Sequence, residues 1–401
     1  MQDTPTAPAR FSDRQKNLSR LDAITLALWI VVLLVICIRV ALSAKNNSFT
    51  VYLLGGSRWL ESKTLYSGHR GFVYSPLVAA FFAPFSLPPV ALANILWRLF
   101  STATFLAAVG WWLREGLHRH INRERFGVVF LLLLPMSLGN FNNGQANPFV
   151  ISLLLAALVA VKTDRWNLAA LCIALATYFK IYPLAAGMLL VLVHPKKFGW
   201  RLLVALAVLG TLSFILQKPA YVWDQYARWF ATRSADNRLQ YGSDVATHDL
   251  WVLMRSLHLV IGERAYRFAQ LCGAVAVAAV CLAGRLRRWP QERLLVALLT
   301  LVCCWMILLG PATESATYVL LAPAVVFALV QAFTQPTPAW MRGLVLAALV
   351  VLLAGHALNS FIKLHDNFLR LTLEPFGALL FSVFAVAWIL KPSLWARADR
   401  V

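Results

Sequence analysis

Gly139-Asn140-Phe141-Asn142-Asn143-Gly144-Gln145-Ala146-Asn147-Pro148 interrupts an otherwise apolar part of the chain. Further along comes a second polar island, Tyr178-Phe179-Lys180-Ile181-Tyr182-Pro183, again between hydrophobic runs. Amides, a lysine and broken backbone are costly in hydrocarbon unless they line a cavity or a site. The islands therefore read as polar apices joining short apolar arms inside a membrane protein.

Composition agrees. The 401 residues are 60% hydrophobic and 13% charged, with a mean hydropathy of +0.67, where a soluble chain would be about a quarter charged. The expected fold class is an all-α polytopic membrane protein. Residues 1–21 are polar and basic (Arg10, Arg14, Lys16, Arg20). The apolar run Ala23–Leu42 that follows is too long for a signal-peptide core and lacks a clear small-residue cleavage site, so it reads as the first transmembrane helix. The net charge of +20 does not point to nucleic acid, because Lys and Arg cluster in short loops as orientation signals do. The excess on the other face suits anionic headgroups or phosphorylated substrates. All six cysteines (Cys37, Cys172, Cys272, Cys281, Cys303, Cys304) fall in apolar runs without metal-ligand spacing. They read as packing residues, and no metal is expected.

Basic segments mark the cytoplasmic side: 10–20, 114–125, 162–165, 196–201, 285–293, Arg342, and the tail with Lys391, Arg397 and Arg400. Together they hold more than half of the 37 Lys and Arg. Parity then requires the chain to leave and return between 125 and 162, through arms 126–138 and 149–161, and again between 165 and 196. Each arm is shorter than the ~20 residues of a standard span, so both islands become hairpin apices on the same, outer side. Further spans are expected near 22–43, 90–112, 201–217, 264–284, 293–309, 317–334, 342–361 and 375–390. That gives about twelve transmembrane helices, with short broken hairpins and both termini cytoplasmic. The domain reading is a cytoplasmic N-terminus 1–21, a single membrane domain 22–391 and a cytoplasmic tail 392–401. The proline-bounded segment 73–87 reads as re-entrant or interfacial. Outer loops 44–72 and 218–262 are rich in Trp, Tyr and Arg, as interfacial segments are.

Lys180 is the sharpest candidate. A lysine at such depth usually faces a cavity and serves a substrate, an ion or a proton, and is a good point-charge partner for phosphate; the alternative is snorkelling to the headgroups. Asn143, Gln145 and Asn147, with Asn140 and Asn142, supply amide donors around Gly139 and Gly144. Pro148 suits the first turn of the next helix, whose free N–H groups would favour an anion or hydroxyl; a plain capped turn is the alternative. Glu314, in the tight connection Gly310-Pro311-Ala312-Thr313-Glu314-Ser315, is a candidate general base or a carboxylate at a helix N-terminus. Asp249, beside His248 in a loop, is a second candidate base. Asp224, Asp236, Asp244, Asp366 and Glu374 complete the outer carboxylates together with Glu61 and Glu263. Arg39 and Arg98, near outer helix ends, could snorkel or hold a phosphate.

Asn143-Gly144-Gln145-Ala146-Asn147-Pro148 followed by Phe179-Lys180-Ile181-Tyr182-Pro183 resembles glycosyltransferase family 87. The pairing of GQ-x-N-P with a downstream K-x-Y-P is the specific part. Val51-Tyr52, Leu65-Tyr66, Phe72-Val73-Tyr74-Ser75-Pro76-Leu77 and the stretch from Gly310-Pro311 to Ala322-Pro323 extend it over most of the chain. The resemblance implies a GT-C-like bundle that takes a hexose, typically mannose, from a polyprenyl-phosphate sugar donor. It would transfer the sugar to a lipid or glycan acceptor outside the cytoplasmic (inner) membrane of the cell. It implies no cofactor, the lipid-linked sugar being a substrate. Lys180, Tyr182, Asn143, Gln145, Asn147, Tyr52 and Tyr74 would bind substrate, with membrane lipids around and no nucleic acid partner.

Two positions depart from the family pattern. An aspartate usual just before the tyrosine matched by Tyr52 is replaced within Asn47-Ser48, and a histidine pair usual after the Glu314-Ser315 segment is replaced by Ala316-Thr317. Three readings stay open at this point: a transferase whose base has moved to Glu314 or Asp249, a catalytically inactive lipid- or glycan-binding relative, and a transporter with a site at broken helices.

Overall fold

Apolar runs punctuated by proline, glycine and basic residues set where each helix starts and stops. The computed structural model describes residues 19–42, 47–66, 71–117, 119–240, 247–310, 313–360 and 367–395, and among them there is no strand. The first half contains α1 (Arg20–Leu42), α2 (Ser48–Leu60), α3 (Pro76–Phe82), α4 (Val90–Trp111), α5 (Phe126–Asn143), α6 (Asn147–Lys162), α7 (Trp166–Phe179) and α8 (Leu184–Val193). The second half contains α9 (Trp200–Leu216), α10 (Pro219–Ala235), α11 (Leu250–Ser256), α12 (Glu263–Leu286), α13 (Gln291–Leu308), α14 (Ala322–Thr334), α15 (Ala339–Ser360) and α16 (Asn367–Leu390). Arg10, Arg14, Lys16, Arg397, Arg400, Asp244, Asp366 and Pro311-Ala312 lie outside the described residues.

The chain is a multi-pass, all-α membrane protein. Each of the twelve expected segments is helical, but eight helices among the described residues are long and apolar enough to cross a bilayer. Four expected segments, α6, α7, α8 and α14, are shorter apolar helices. Short arms were expected at α6, α7 and α8, whereas α14 is shorter than the span expected there. Three boundaries also differ. Residues 139–143 belong to the last turns of α5, so the first island begins inside a helix and its arm reaches span length. The segment 317–334 is split into a 3-10 turn, Ser315–Leu320, and α14. Pro375 lies within α16 rather than at its start. The expected loops carry helices of their own: α2 in the first, α10 and α11 in the second. At the start of the tail segment, Trp395 is buried against Trp388 and His120.

The core is layered around α6, α13 and α14, which are buried nearly all round. By contrast α1, α9 and α12 keep most of their apolar surface exposed, as helices facing lipid do. Helices α15 and α16 form a tight pair. A Cβ on Gly355 would lie 2.7 Å from Glu374 Cγ and 2.9 Å from its backbone nitrogen, so only glycine admits that approach. At the end of the bundle away from the islands, Lys162 pairs with buried Glu292, which also meets His120 Nε2 at 3.2 Å. The basic segments at 114–125, 162–165 and 285–293 thus gather at one end, and the islands at the other.

Candidate functional site

The first island is a helix terminus built by its glycine. Gly144 takes φ +65°, ending α5 in the left-handed conformation. Its N–H donates to Phe141 O at 3.2 Å and that of Gln145 to Asn140 O at 3.0 Å, the paired bonds of a Schellman motif. Pro148 enters the first turn of α6, where its missing N–H costs nothing. Two residues of α4 lock this turn. Trp97 Nε1 donates to Gly144 O at 2.9 Å. Arg98, fully buried, donates through Nη2 to Asn142 O at 2.9 Å and through Nη1 to Asn94 Oδ1 at 2.8 Å. A cation on the carbonyl end of α5 is stabilised by the helix dipole. Arg98 is thus a cap for α5, neither snorkelling nor facing a phosphate site, whereas Arg39 is exposed in the last turn of α1.

The amides are then consumed in building the site. Asn143 Nδ2 and Gln145 Nε2 both donate to the Ser48 hydroxyl, at 3.0 and 2.7 Å. Ser48 opens α2, capped by the side chain of Asn47. Asn147, fully buried, donates through Nδ2 to Ala316 O at 2.8 Å and accepts the Tyr182 hydroxyl on Oδ1 at 3.2 Å. The free N–H of Ala146 is taken by the Tyr52 hydroxyl at 3.2 Å, and that hydroxyl lies 3.1 Å from the Tyr74 hydroxyl. Burial pushes the Tyr52 hydroxyl up to about 12 and Tyr74 well above its ordinary value. Both phenols therefore stay protonated at neutral pH and serve as hydrogen-bonding groups rather than as bases. The second island is pinned by Tyr178, whose hydroxyl donates to Leu206 O at 2.8 Å and whose carbonyl accepts from Ser75 Oγ at 2.8 Å. Lys180 follows at the end of α7, half-buried, its Nζ 5.8 Å from the centroid of the Tyr182 ring.

All seven predicted binding residues thus belong to one hydrogen-bonded and ring-contacted group at the island end. Glu314 joins them electrostatically, since its charge acts on the Tyr52, Tyr74 and Tyr182 hydroxyls. It is exposed and also forms a capping box with Thr317 at the start of the 3-10 turn. Asp249 is placed elsewhere. It is the buried N-cap of α11, its Oδ1 accepting from Val252 N at 3.1 Å. Burial pushes its carboxyl up to about 6, opposed by hydrogen bonds from Thr247 and Val252 N and by His248. Its oxygens are engaged in capping, which suits a structural part.

A second polar cluster adjoins the first. Glu374, fully buried in α16, accepts from Ser315 Oγ at 2.7 Å and from Asn359 Nδ2 at 3.1 Å. His248 Nδ1 lies 3.1 Å and His356 Nδ1 3.8 Å from the same carboxylate. Because His356 Nε2 accepts the Gly139 N–H at 3.3 Å, its other nitrogen carries the proton that faces Glu374. A lone buried carboxylate costs several kcal/mol, an order of magnitude that four partners of this kind can offset. Sequence reasoning named Glu374 only as one of the outer carboxylates; the one local signal is the following proline, inside what folds as a helix.

The model of the family described as Glycosyltransferase family 87 matches residues 72–311. The chain belongs to glycosyltransferase family 87. The family 87 match includes both islands, Tyr74 and Asp249, while Tyr52, Glu314 and Glu374 lie outside it. A curated relative is a polyprenol-phosphate-mannose-dependent alpha-(1-2)-phosphatidylinositol pentamannoside mannosyltransferase of Mycobacterium tuberculosis (strain CDC 1551 / Oshkosh). It is 30% identical over 159 residues, which are 37% of this chain and 35% of the relative. The chain thus spans about a third of the length of that relative. Among solved structures, ArnT from Cupriavidus metallidurans bound to undecaprenyl phosphate aligns over 92% of this family 87 chain and 77% of its own, with 12% identity and a TM-score of 0.38.

Proposed function

We propose that this family 87 protein moves a hexose, mannose first among them, from a polyprenyl-phosphate carrier to a lipid or glycan acceptor. The observation that carries this reading is the convergence of Lys180, Tyr182, Tyr52, Tyr74 and the Asn143–Asn147 turn around an exposed carboxylate, Glu314. The dependence of the mycobacterial relative on polyprenol-phosphate-mannose supports the donor class. In the proposed orientation, the basic end faces the cytoplasm with both termini, and the site opens on the outer face of the inner membrane.

The chemistry follows from charge. Glu314 accepts the proton of an acceptor hydroxyl as that oxygen attacks C1 of the sugar; the C1–O bond breaks and polyprenyl phosphate leaves with its electron pair. Lys180 supplies positive charge where negative charge grows on the phosphate. Protonated tyrosines and the amide turn form the preorganised wall of the sugar site. Nothing in this displacement calls for a nucleotide or a metal.

Incubation of the purified protein with radiolabelled polyprenyl-phosphate-mannose and a lipid extract from its source tests the reading. A labelled lipid or glycan is the expected product. No labelled product with any hexose carrier overturns it and leaves a binding protein or a transporter. One observation favours the binding protein as a second reading: within Asn47-Ser48, where the resemblance leads one to expect an aspartate, Asn47 caps α2 and Ser48 is engaged by Asn143 and Gln145, and neither holds a charge.

A further inference from the structure

Glu374 is a buried carboxylate that the proposed reaction does not use, yet it binds Ser315, the residue next to the proposed base. That segment is held at nearly every position. Thr313 O accepts the His248 N–H at 2.7 Å, Ser315 Oγ donates to Glu374 Oε1 at 2.7 Å, Ala316 O accepts from Asn147 at 2.8 Å, and the Tyr318 hydroxyl donates to His248 O at 2.7 Å. Glu314 sits in the middle with its side chain exposed. Three of these ties lead back to Glu374, one directly through Ser315 and two, from Thr313 and Tyr318, through His248, whose Nδ1 faces the carboxylate at 3.1 Å. On its other side Glu374 is fixed by Asn359 and approached by His356, which in turn binds the backbone of Gly139 in the first island.

The Glu374 carboxylate therefore joins α15 and α16, the loop before α11, the Ser315 turn and the end of α5. Its close seat depends on Gly355, and a Cβ on Gly139 would lie 2.8 Å from His356 Nε2. A network with so many independent anchors specifies one geometry rather than merely filling space.

We infer that Glu374 is a positioning residue for the transfer reaction: acting through Ser315 and His248, it holds Glu314 at the height and angle where an acceptor hydroxyl meets the donor sugar. This rests on the transferase reading above. Misplacing a reacting group by about 1 Å costs about 10²-fold in rate, which sets the scale of the expected loss.

The test measures hexose transfer by the purified full-length protein carrying Glu374→Gln, Ser315→Ala, Glu314→Gln, or Glu314→Gln with Glu374→Gln. Glu374→Gln is expected to lower kcat by about 10²-fold and Ser315→Ala by about tenfold, with donor KM held within about threefold. The double variant is expected to be no slower than Glu314→Gln alone, because Glu374 acts only through Glu314. A general packing defect would instead raise donor KM and multiply with the Glu314 change, and that result overturns the inference. Wild-type kcat in Ser315→Ala overturns it as well, and does so even if Glu374→Gln fails to fold. If the unchanged protein transfers no hexose from any carrier, the transferase reading falls and the inference with it. An active wild type with active Glu374→Gln and Ser315→Ala variants removes the inference alone.

Discussion

Asn147→Asp is the sharpest test of the site, because it changes one buried atom and almost no volume. Asn147 Nδ2 donates to Ala316 O at 2.8 Å while Oδ1 accepts from the Tyr182 hydroxyl at 3.2 Å. Aspartate keeps the second bond and turns the first into two acceptors facing each other in a site closed to water. Stranding a buried acceptor costs about 1–3 kcal/mol, and the new carboxyl must also stay charged while buried or take up a proton. A total of about 3 kcal/mol, if expressed at the site, is about a 10²-fold loss in kcat/KM at 1.36 kcal/mol per tenfold. Tyr182→Phe removes only the other bond, worth about 1 kcal/mol or about fivefold. The assay is transfer of labelled hexose by each purified variant, with thermal unfolding in detergent run alongside to confirm that the bundle persists. If Asn147→Asp transfers within about threefold of the unchanged protein, Asn147 does not join the islands to the Ala316 segment in the working enzyme. Tyr182→Phe proving worse than Asn147→Asp would also refute the reasoning, because the order of the two effects follows from which atoms are stranded.

Glu314→Gln is expected to lower kcat by about 10²–10⁴-fold, read from single-turnover transfer at saturating donor. Lys180→Ala is expected to weaken polyprenyl-phosphate binding by about tenfold or more, measured by ligand-dependent thermal shift, since a charge-assisted contact is worth about 1.5–3 kcal/mol. Gly144→Ala places a β-carbon at φ +65°, costing about 1–2 kcal/mol, and brings it 2.9 Å from Phe49 Cβ, so melting in detergent is expected well below that of the unchanged protein. Asp249 gives a pH signature: its carboxyl is raised from 3.8 to about 6 by burial, so the folded state holds its proton more tightly than the unfolded chain. The corresponding stability is present below about pH 4 and is lost as pH rises through about 6, an amount on the order of 3 kcal/mol. Asp249→Asn, which keeps an N-cap, should melt higher than the unchanged protein above that pH and remove this part of the slope.

What was legible in the sequence was whatever rests on neighbours in the chain. Gly144 announced a helix end because a left-handed cap needs glycine, and Pro148 announced the next helix start. The pairing of the two islands was legible through charge parity, and Tyr182 does reach Asn147. The extent of α5 was not, because asparagines that favour turns in isolation are held helical by Arg98 and Trp97 from α4. Pro375 read as a boundary, yet α16 runs through it, packed on α15 at Gly355. The Glu374 cluster was illegible for a related reason. His248, Ser315, His356 and Glu374 come from four separate segments, and no spacing rule connects them.

The distribution of burial then separates residues that build the site from those left accessible to a ligand. Asn147, Gln145 and Tyr52 are buried and spend their polar atoms on one another, on Ser48 or on backbone. In a low-dielectric end of the bundle such groups must be satisfied before any ligand arrives, or the empty protein would carry the cost. The amide turn that sequence suggested as an anion cradle is therefore better understood as a rigid wall, preorganised by its own hydrogen bonds. Lys180 and Glu314, half-buried and exposed, stand on that wall with opposite charge. Such a pair is what the proposed displacement needs, one charge for the departing phosphate and the other for the incoming proton. Variants of the wall should consequently lose stability and activity together, whereas variants of the two charges should lose activity alone.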